Sequence, residues 1–519
     1  MLSVVFRRSF SSKPLQLSSI SSLKHLHDIV KQSSDFSPDH LTGIEELIKK
    51  SESDVEDLEY VRPIIDEIYR HPTLDNTVKT KSINKLISSG IPSDFSIYYK
   101  VKDLNHAWND TAIIKLIDSN PGRVLSSFDL LKQFEKHIKS SEVYEKVLEK
   151  LLLGEISELK EGEVSLDCDK ISKILKISER IDPIQDEHLI SELILKLEAA
   201  NALFVFQWIP VNAISAVNVL ETLEVDELVF LKVFKALFDR TDNNQDILTK
   251  RIAVRVLESV YESDKSQVNN SNQKELKTYR DLLQTMETEE AATRSYETLS
   301  FDDINSMALE VLDNIEELKL DSGDDIESLR IRINVIKCKG IFFKDMKAAL
   351  KRYHNYSTHE KLGFQDVSDA LVHSFYYNAA LEGSQELAGI AQALSPGDLT
   401  IRLLQSSMLS LGALDANNAL RIYNDYINEV SKDLKATNGR SSAGLLTESL
   451  VMVYLYHQDR EFAHLMMEKA RENGVIQHEN DIQKIKSLFK FYGDVMSLED
   501  SEAKKRVLKS YLLEYLKSL

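Results

Sequence analysis

Apolar residues recur every three or four positions through most of the chain, the period of a helix with one buried stripe. DLEYVRPIIDEIYR (57–70), VYEKVLEKLLLGEISEL (143–159) and ELVFLKVFKALF (227–238) are representative. Strand-like alternation bounded by Gly or Asn-Gly turns is nearly absent. The pattern predicts helices of roughly 10–15 residues joined by short loops. Some helix ends are legible. In SNPGRVLSSFDLLKQFEKHIKS, Pro121-Gly122 closes one helix, and Ser126 with Asp129 three residues on reads as a capping box opening the next. No Gly-Lys-Ser/Thr follows the Pro-Gly pair, so it is a turn rather than a phosphate-binding loop.

One stretch breaks the pattern. From Ala199 to Leu220, AANALFVFQWIPVNAISAVNVL carries no charge and has the length of a membrane span. Its polar residues Asn201, Gln207, Asn212, Ser215 and Asn218, and Pro210 near the middle, argue against one. Proline interrupts the helical ladder and pushes the residue before it out of the α region. The stretch therefore reads as two buried helices joined at Ile209-Pro210-Val211.

Three later segments superimpose: DALVHSFYYNAALEGSQELAGIAQALS from Asp369, LLQSSMLSLGALDANNALRIYNDYINEV from Leu403, and LLTESLVMVYLYHQDREFAHLMMEKARENGV from Leu445. Each has an apolar first helix, a polar turn and a second helix with a small residue at an equivalent place: Ala388, Ala419 and Ala463. A small side chain there lets paired helices approach to about 8 Å. A helix pair leaves an apolar side for the next pair to bury, which is the logic of an α-solenoid. The second interval is longer because SKDLKATNGRSSAG (431–444) is inserted between units. The segments resemble degenerate pentatricopeptide repeats. The likeness rests on Tyr454-Leu455 at the end of a first helix, Ala463 within a second, and Met466-Met467 with Asn473-Gly474-Val475 closing the unit. Tetratricopeptide-type pairs stay open, although no unit carries their Trp and Pro landmarks.

Composition agrees with an all-α protein. Sixteen Gly and nine Pro in 519 residues are too few for the turns of an all-β fold. The length asks for more than one core. The polar stretch SDKSQVNNSNQK (263–274) marks a candidate linker, and LDSGDDIES (320–328) an exposed interhelical loop. The expected organisation is a terminal segment over 1–27, a helical-repeat domain over 28–262, a linker region over 263–294, and a carboxy-terminal solenoid over 295–519. Cys168 and Cys338 are far apart and outside any C-x-x-C pair, so both are expected to be buried, reduced thiols.

Charge adds an address and a candidate site. MLSVVFRRSFSSKPLQLSSISSLKHLH has no acidic residue before Asp28, and Arg7, Arg8, Lys13 and Lys24 alternate with apolar residues and Ser. That composition is a mitochondrial transit peptide's, and Arg8-Ser9-Phe10-Ser11 resembles a matrix-peptidase cleavage site. The whole chain carries −19, which excludes a protein coated in nucleic acid. RIRINVIKCKGIFFKDMKAALKRYH (330–354) departs from that balance. It holds Arg330, Arg332, Lys337, Lys339, Lys344, Lys347, Lys351 and Arg352, opposed only by Asp345. If the helix runs on past Gly340, then Lys337, Lys344, Lys347 and Lys351 share a side. Phe342, Phe343 and Tyr353 lie among them as rings on which single-stranded bases could stack. Three readings of the run stay open: RNA contact, a solvated or acid-paired face over a core stripe of Ile336, Phe343 and Leu350, and a protein or anionic-lipid contact.

Transit peptide, degenerate helical repeats and an Asn- and Lys-rich acidic body resemble the fungal mitochondrial messenger-specific factors. NPGRVLSSFDLL (120–131) and GLLTESL…DREFAHL (444–465) carry a likeness to those that serve the ATP synthase subunit a messenger. The resemblance implies a matrix protein, peripheral to the inner membrane and without a membrane span. It further implies binding to the 5′ leader of one organelle messenger, near the mitochondrial ribosome, to promote translation or stability. First helices lining the inner side of the solenoid would meet the strand. The competing reading is a protein-interaction scaffold in complex assembly or on the mitochondrial ribosome, which the acidic balance favours. No H-E-x-x-H, G-x-S-x-G, G-x-G-x-x-G or spaced carboxylate cluster occurs. His354 and His359 lack further ligands nearby. Neither catalysis nor a cofactor nor a metal is expected; a nuclease would need Asp and Glu gathered in a cleft.

Overall fold

A computed structural model describes residues 22–32, 36–41, 44–51, 59–89, 107–119, 127–153, 168–241, 247–285, 299–315, 318, 325–357, 364–432, 436–437 and 439–519. The basic terminal segment before Ser22, the Pro121-Gly122 turn with Ser126 of the capping box, and His359 lie outside them. The protein is all-α, as the periodicity predicts, with one two-stranded ribbon among the described residues. Two compact units are present. One comprises residues 1–225, 232–242 and 266–299; the other comprises 226–231, 243–265 and 300–519.

In the first unit, helices pack on neighbours further along the chain: Asn76–Ser88 on Asp110–Ser119, that helix on Glu142–Leu153, and Glu142–Leu153 on Glu187–Ala199. The uncharged stretch after Ala199 becomes a buried 3-10 turn, Leu203–Trp208, and the helix Ala213–Thr222. Arg240 anchors the elbow, donating to the carbonyls of Ile209 (2.6 Å) and Gln207 (3.3 Å) over the Phe206 ring. Burial lowers its proton affinity to about 10. The Pro210 carbonyl accepts from Ile184 N at 3.0 Å. Among the described residues no helix is long and apolar enough to cross a membrane.

The expected linker 263–274 is not a loop. It lies in the helix Lys265–Thr285. Val268 and Leu282 are buried, and Tyr279 meets Phe204 edge-on at 5.5 Å. Glu275 and Lys232 form a buried ion pair. Polar composition suggested solvent, but a buried charge is tolerated where its counter-charge is also buried. The helix Lys250–Glu262, expected in the amino-terminal domain, belongs to the second unit. Of the two cysteines, Cys338 is buried and its thiol is pushed up to about 12 by that burial, whereas Cys168 is only half-buried.

The second unit contains α1 (Lys250–Glu262), α2 (Phe301–Asn314), α3 (Ile326–Lys337) and α4 (Met346–Ser357). Then come the hairpins α5 (Phe364–Glu382) with α6 (Gln385–Leu394), α7 (Ile401–Leu414) with α8 (Ala416–Val430), and α9 (Ser442–Tyr456) with α10 (Arg460–Glu472). Helices α11 (Glu479–Met496) and α12 (Ser501–Ser518) complete it. First helices stack on one another, α3 on α5, α5 on α7, α7 on α9 and α9 on α11, as in a repeat solenoid.

The two kinds of helix differ in burial. Second helices bury one stripe: Ala388 and Ala391 in α6; Ala419, Tyr423 and Ile427 in α8; Ala463, Met467 and Ala470 in α10. First helices are buried almost all round, continuously from Ala370 to Ala380, Leu403 to Gly412, and Leu446 to Leu455. A helix apolar on every side needs cover on every side. Second helices supply it on one side, and α12 lies against α5, α7, α9 and α11 on another. Leu508, Leu512 and Leu516 of α12 are buried; Tyr515 Oη accepts from Gln405 at 3.2 Å, and Lys509 Nζ donates to the Leu381 carbonyl at 2.9 Å. Ser374, Ser406, Thr447 and Ser449 within the first helices donate to a carbonyl four residues back, as Ser374 does to Ala370 and Thr447 to Ala443.

The small residues are required by contact. A Cβ on Gly412 would lie 2.7 Å from Val453 and 2.9 Å from the Ala419 Cβ. Leucine at 419 therefore overpacks the crossing of α7 and α8. Ala419→Leu is expected to cost about 1–3 kcal/mol, read as a lower midpoint in urea unfolding; an unchanged midpoint would show that the pair can separate freely.

Candidate functional site

The basic run does not form one helix. Helix α3 ends at Lys337, a π turn occupies Cys338–Phe342, and α4 starts only at Met346, with Lys344 between at a left-handed φ of 57°. Gly340 sets the break. A Cβ there would sit 2.7 Å from the Ser374 Cβ, so only glycine lets the turn approach α5. Asn378 Nδ2 donates at 2.7 Å to the Gly340 carbonyl. A π turn displaces the regular i−4 pairing, and this side chain meets the carbonyl involved.

The break distributes the eight cations. Lys344, Lys347 and Lys351 are exposed, and the last two stand one turn apart on α4. Lys339 and Arg352 are half-buried. Arg330 pairs with Glu258 of α1 at 2.8 Å, beside Arg251 with Glu327 (2.8 Å) and Lys250 with Asp325 (2.7 Å). Arg332 is buried, with its guanidinium 5.9 Å from the Tyr356 ring centroid. Lys337 lies 5.5 Å from the Tyr261 ring and lines a cleft with His373 and Arg402. Its proton affinity is lowered, first by burial and then by Arg402. The expected common side of Lys337, Lys344, Lys347 and Lys351 is thus divided, because it needed a continuous helix. The aromatic residues have protein neighbours: Phe342 meets Phe301 at 5.6 Å and Phe343 at 5.0 Å, and Tyr353 packs against the α5 core.

Helix α12 lies against the first helices α5, α7 and α9, so a strand laid along the faces it covers would meet α12 instead. Among the described residues no group of three or more His, Cys, Asp or Glu is placed to hold a metal ion.

The insertion 431–444 holds a second polar cluster. Its described part forms a ribbon, Ala436–Thr437 paired antiparallel with Arg440–Ser441, turning at Gly439 with φ 73°. Arg440 Nε donates to Asp481 at 2.5 Å, and its guanidinium pairs with Glu448 of α9. Asp481 is fully buried and also accepts from Ser441 N (3.1 Å) and Oγ (2.6 Å). Sequence reading missed this knot. Arg440 is close to Glu448 in sequence, but Asp481 is reached only through the fold.

Fold and site together describe an all-α helical-repeat protein whose buried polar clusters brace the stack, with Lys344, Lys347 and Lys351 of the basic run exposed after the π turn. Residues 424–519, from within α8 through α12 and including the Arg440 knot, match the MRX12 C-terminal domain. The chain is also similar to MIOREX complex component 12 of Saccharomyces cerevisiae (strain ATCC 204508 / S288c), 22% identical over 439 residues that cover 81% of each chain.

Two outcomes test the electrostatics. Removing Arg440 strands two buried carboxylates, so Arg440→Ala is expected to cost about 3–5 kcal/mol in urea unfolding; a loss below about 1 kcal/mol would show that water replaces it. Asp325 is held down at about 2, first by the Lys250 ammonium and then by Ser328 N. Its folded value lies below the unfolded value of about 3.9, so its contribution is present above about pH 4 and is lost as pH falls through 2. The stability gap between the natural chain and Asp325→Asn should be constant at neutral pH and close below about pH 4. A gap independent of pH would remove Asp325 as the cause.

Proposed function

We propose that the protein is a mitochondrial, non-catalytic factor that works within a larger assembly serving organelle gene expression. The similarity to a yeast MIOREX complex component and to the MRX12 C-terminal domain, with the presequence-like terminus, supports a fungal mitochondrial factor with partners at the mitochondrial ribosome or an associated complex. The observation that carries RNA contact is the exposed trio of Lys344, in the turn where the basic run leaves the core, with Lys347 and Lys351 on α4 after it. A strand crossing this turn meets point charges that match phosphates and neutralise several at once. The finer reading is a factor for translation or stability of one organelle messenger through its 5′ leader, peripheral to the inner membrane on the matrix side. The messenger for ATP synthase subunit a is the first to test.

A second reading has its own support. With α12 against the first helices and −19 on the whole chain, the stack suits a protein-binding scaffold on the mitochondrial ribosome or in complex assembly. Crosslinking in isolated mitochondria, followed by sequencing of bound RNA, separates the two. One recovered leader supports the messenger reading; ribosomal proteins without RNA support the scaffold. Reversing Lys344, Lys347 and Lys351 together to Glu is expected to abolish RNA retention while helical circular dichroism is kept. Unchanged retention would remove that turn as the contact.

A further inference from the structure

Helix α10 ends at an Asn-Gly pair, Asn473-Gly474. The backbone there forms a Schellman cap. Gly474 takes a left-handed φ of 69°, and its N–H donates to the Arg471 carbonyl at 3.1 Å. Val475 N–H reaches back to the Ala470 carbonyl at 2.8 Å. Beyond the cap the chain passes through the buried Ile476 and enters α11 at Glu479. The cap is therefore the joint between the last repeat hairpin and the pair α11 and α12.

Glycine is needed here for φ and not for room. A Cβ on Gly474 would meet only Gln477 Nε2, at 3.9 Å. Both residues of the pair are exposed. The side-chain amide of Asn473 has no hydrogen-bond partner among the described residues. Asparagine is chemically labile because its amide carbon can be attacked by the backbone nitrogen of the next residue. The attack closes a five-membered ring, and a side chain on that next residue hinders it; glycine has none. In the closed cap Asn473 sits at ψ 3°, and the Gly474 N–H is held by the Arg471 carbonyl. Ring closure needs that ψ turned and that N–H released. Two backbone bonds hold the cap shut, and a helix end of this kind opens locally at small cost.

We propose that Asn473 is a site of spontaneous deamidation, gated by opening of the α10 cap. In the open state Gly474 N gives its proton to hydroxide and attacks Asn473 Cγ. The N–Cγ bond forms, the Cγ–Nδ2 bond breaks, and Nδ2 takes a proton from water and leaves as ammonia. Water then adds to one of the two carbonyls of the cyclic imide and opens it. Opening at Cγ gives aspartate; opening at the main-chain carbonyl gives isoaspartate, whose backbone runs through Cβ and Cγ. Either product places a carboxylate beside Glu472 at the negative end of the helix dipole, which Lys469 and Arg471 in the same turn offset only in part. Isoaspartate also lengthens the main chain by one carbon, so the two cap bonds lose their register. Conversion therefore loosens the joint between α10 and α11. The proposal rests on neither the messenger nor the scaffold reading.

Incubation of the full chain at physiological temperature and mildly alkaline pH, followed by trypsin and mass spectrometry, tests it. Cleavage after Arg471 and Lys484 releases residues 472–484, apart from the second Asn-Gly pair, Asn438-Gly439. Fragment masses place the amide-to-acid change within that peptide. Conversion at residue 473 is expected, with isoaspartate exceeding aspartate, about tenfold slower than in the free synthetic peptide 472–484, as for a helix end that is open about a tenth of the time. In urea that unfolds the chain the rate should rise to the peptide's. The aged chain should unfold at a lower urea midpoint, and Asn473→Gln aged beside it should keep both its mass at 473 and its midpoint. The proposal is overturned if residue 473 is still asparagine after many times the span in which the peptide converts, or if the folded chain converts as fast as the peptide.

Discussion

The carboxy-terminal unit is organised by a solvation constraint on its first helices. Stretches such as Leu403–Gly412 and Leu446–Leu455 are buried around nearly their whole circumference, and water must be kept from every side of such a helix. A single partner covers one stripe. Neighbouring first helices, the second helices and α12 together supply that cover. The hydroxyls and His373 that interrupt these helices are tolerated because nearly all of them find an acceptor within their own turn or on the adjoining helix.

That cover restricts where polar chemistry can appear. The stack is braced from inside at the Arg440 knot, where three separate elements meet on one guanidinium. Within the basic run, Lys344 reaches solvent where the helix fails after the π turn, and Lys347 and Lys351 do so on α4 beyond it. The turn itself is held by the close approach of Gly340 to Ser374 and by Asn378 on the Gly340 carbonyl. A local departure from α geometry at a candidate site is common for π turns, and here it sorts one basic run into exposed, paired and interior cations.

Much of the architecture was legible. Apolar spacing pointed to helices within 57–70, 143–159 and 227–238, where Val61–Arg70, Glu142–Leu153 and Glu227–Phe238 are found, and Ala388, Ala419 and Ala463 are all buried. The candidate site was less legible. The run read as one candidate contact, with Lys337, Lys344, Lys347 and Lys351 on a shared side if the helix were continuous, because sequence cannot show the break after Lys337, that Arg332 turns under Tyr356, or that Glu258, more than seventy residues earlier, reaches Arg330. The helix Lys265–Thr285 misled for another reason: most of its residues do face solvent, but as a helix that buries a stripe of Val268, Glu275 and Leu282, and the pairing of Glu275 with Lys232 is one that composition does not reveal.

The sequence by itself determined the all-helical class, the hairpin repeat and the small residues at its crossings, because these follow from local periodicity and from the volume one helix leaves for the next. Only the tertiary structure decided which cations face water, that α12 covers the first helices, and that Lys337, His373 and Arg402 share one cleft. Those outcomes depend on contacts between residues far apart in the chain, where burial and electrostatics are set by neighbours that no local pattern encodes.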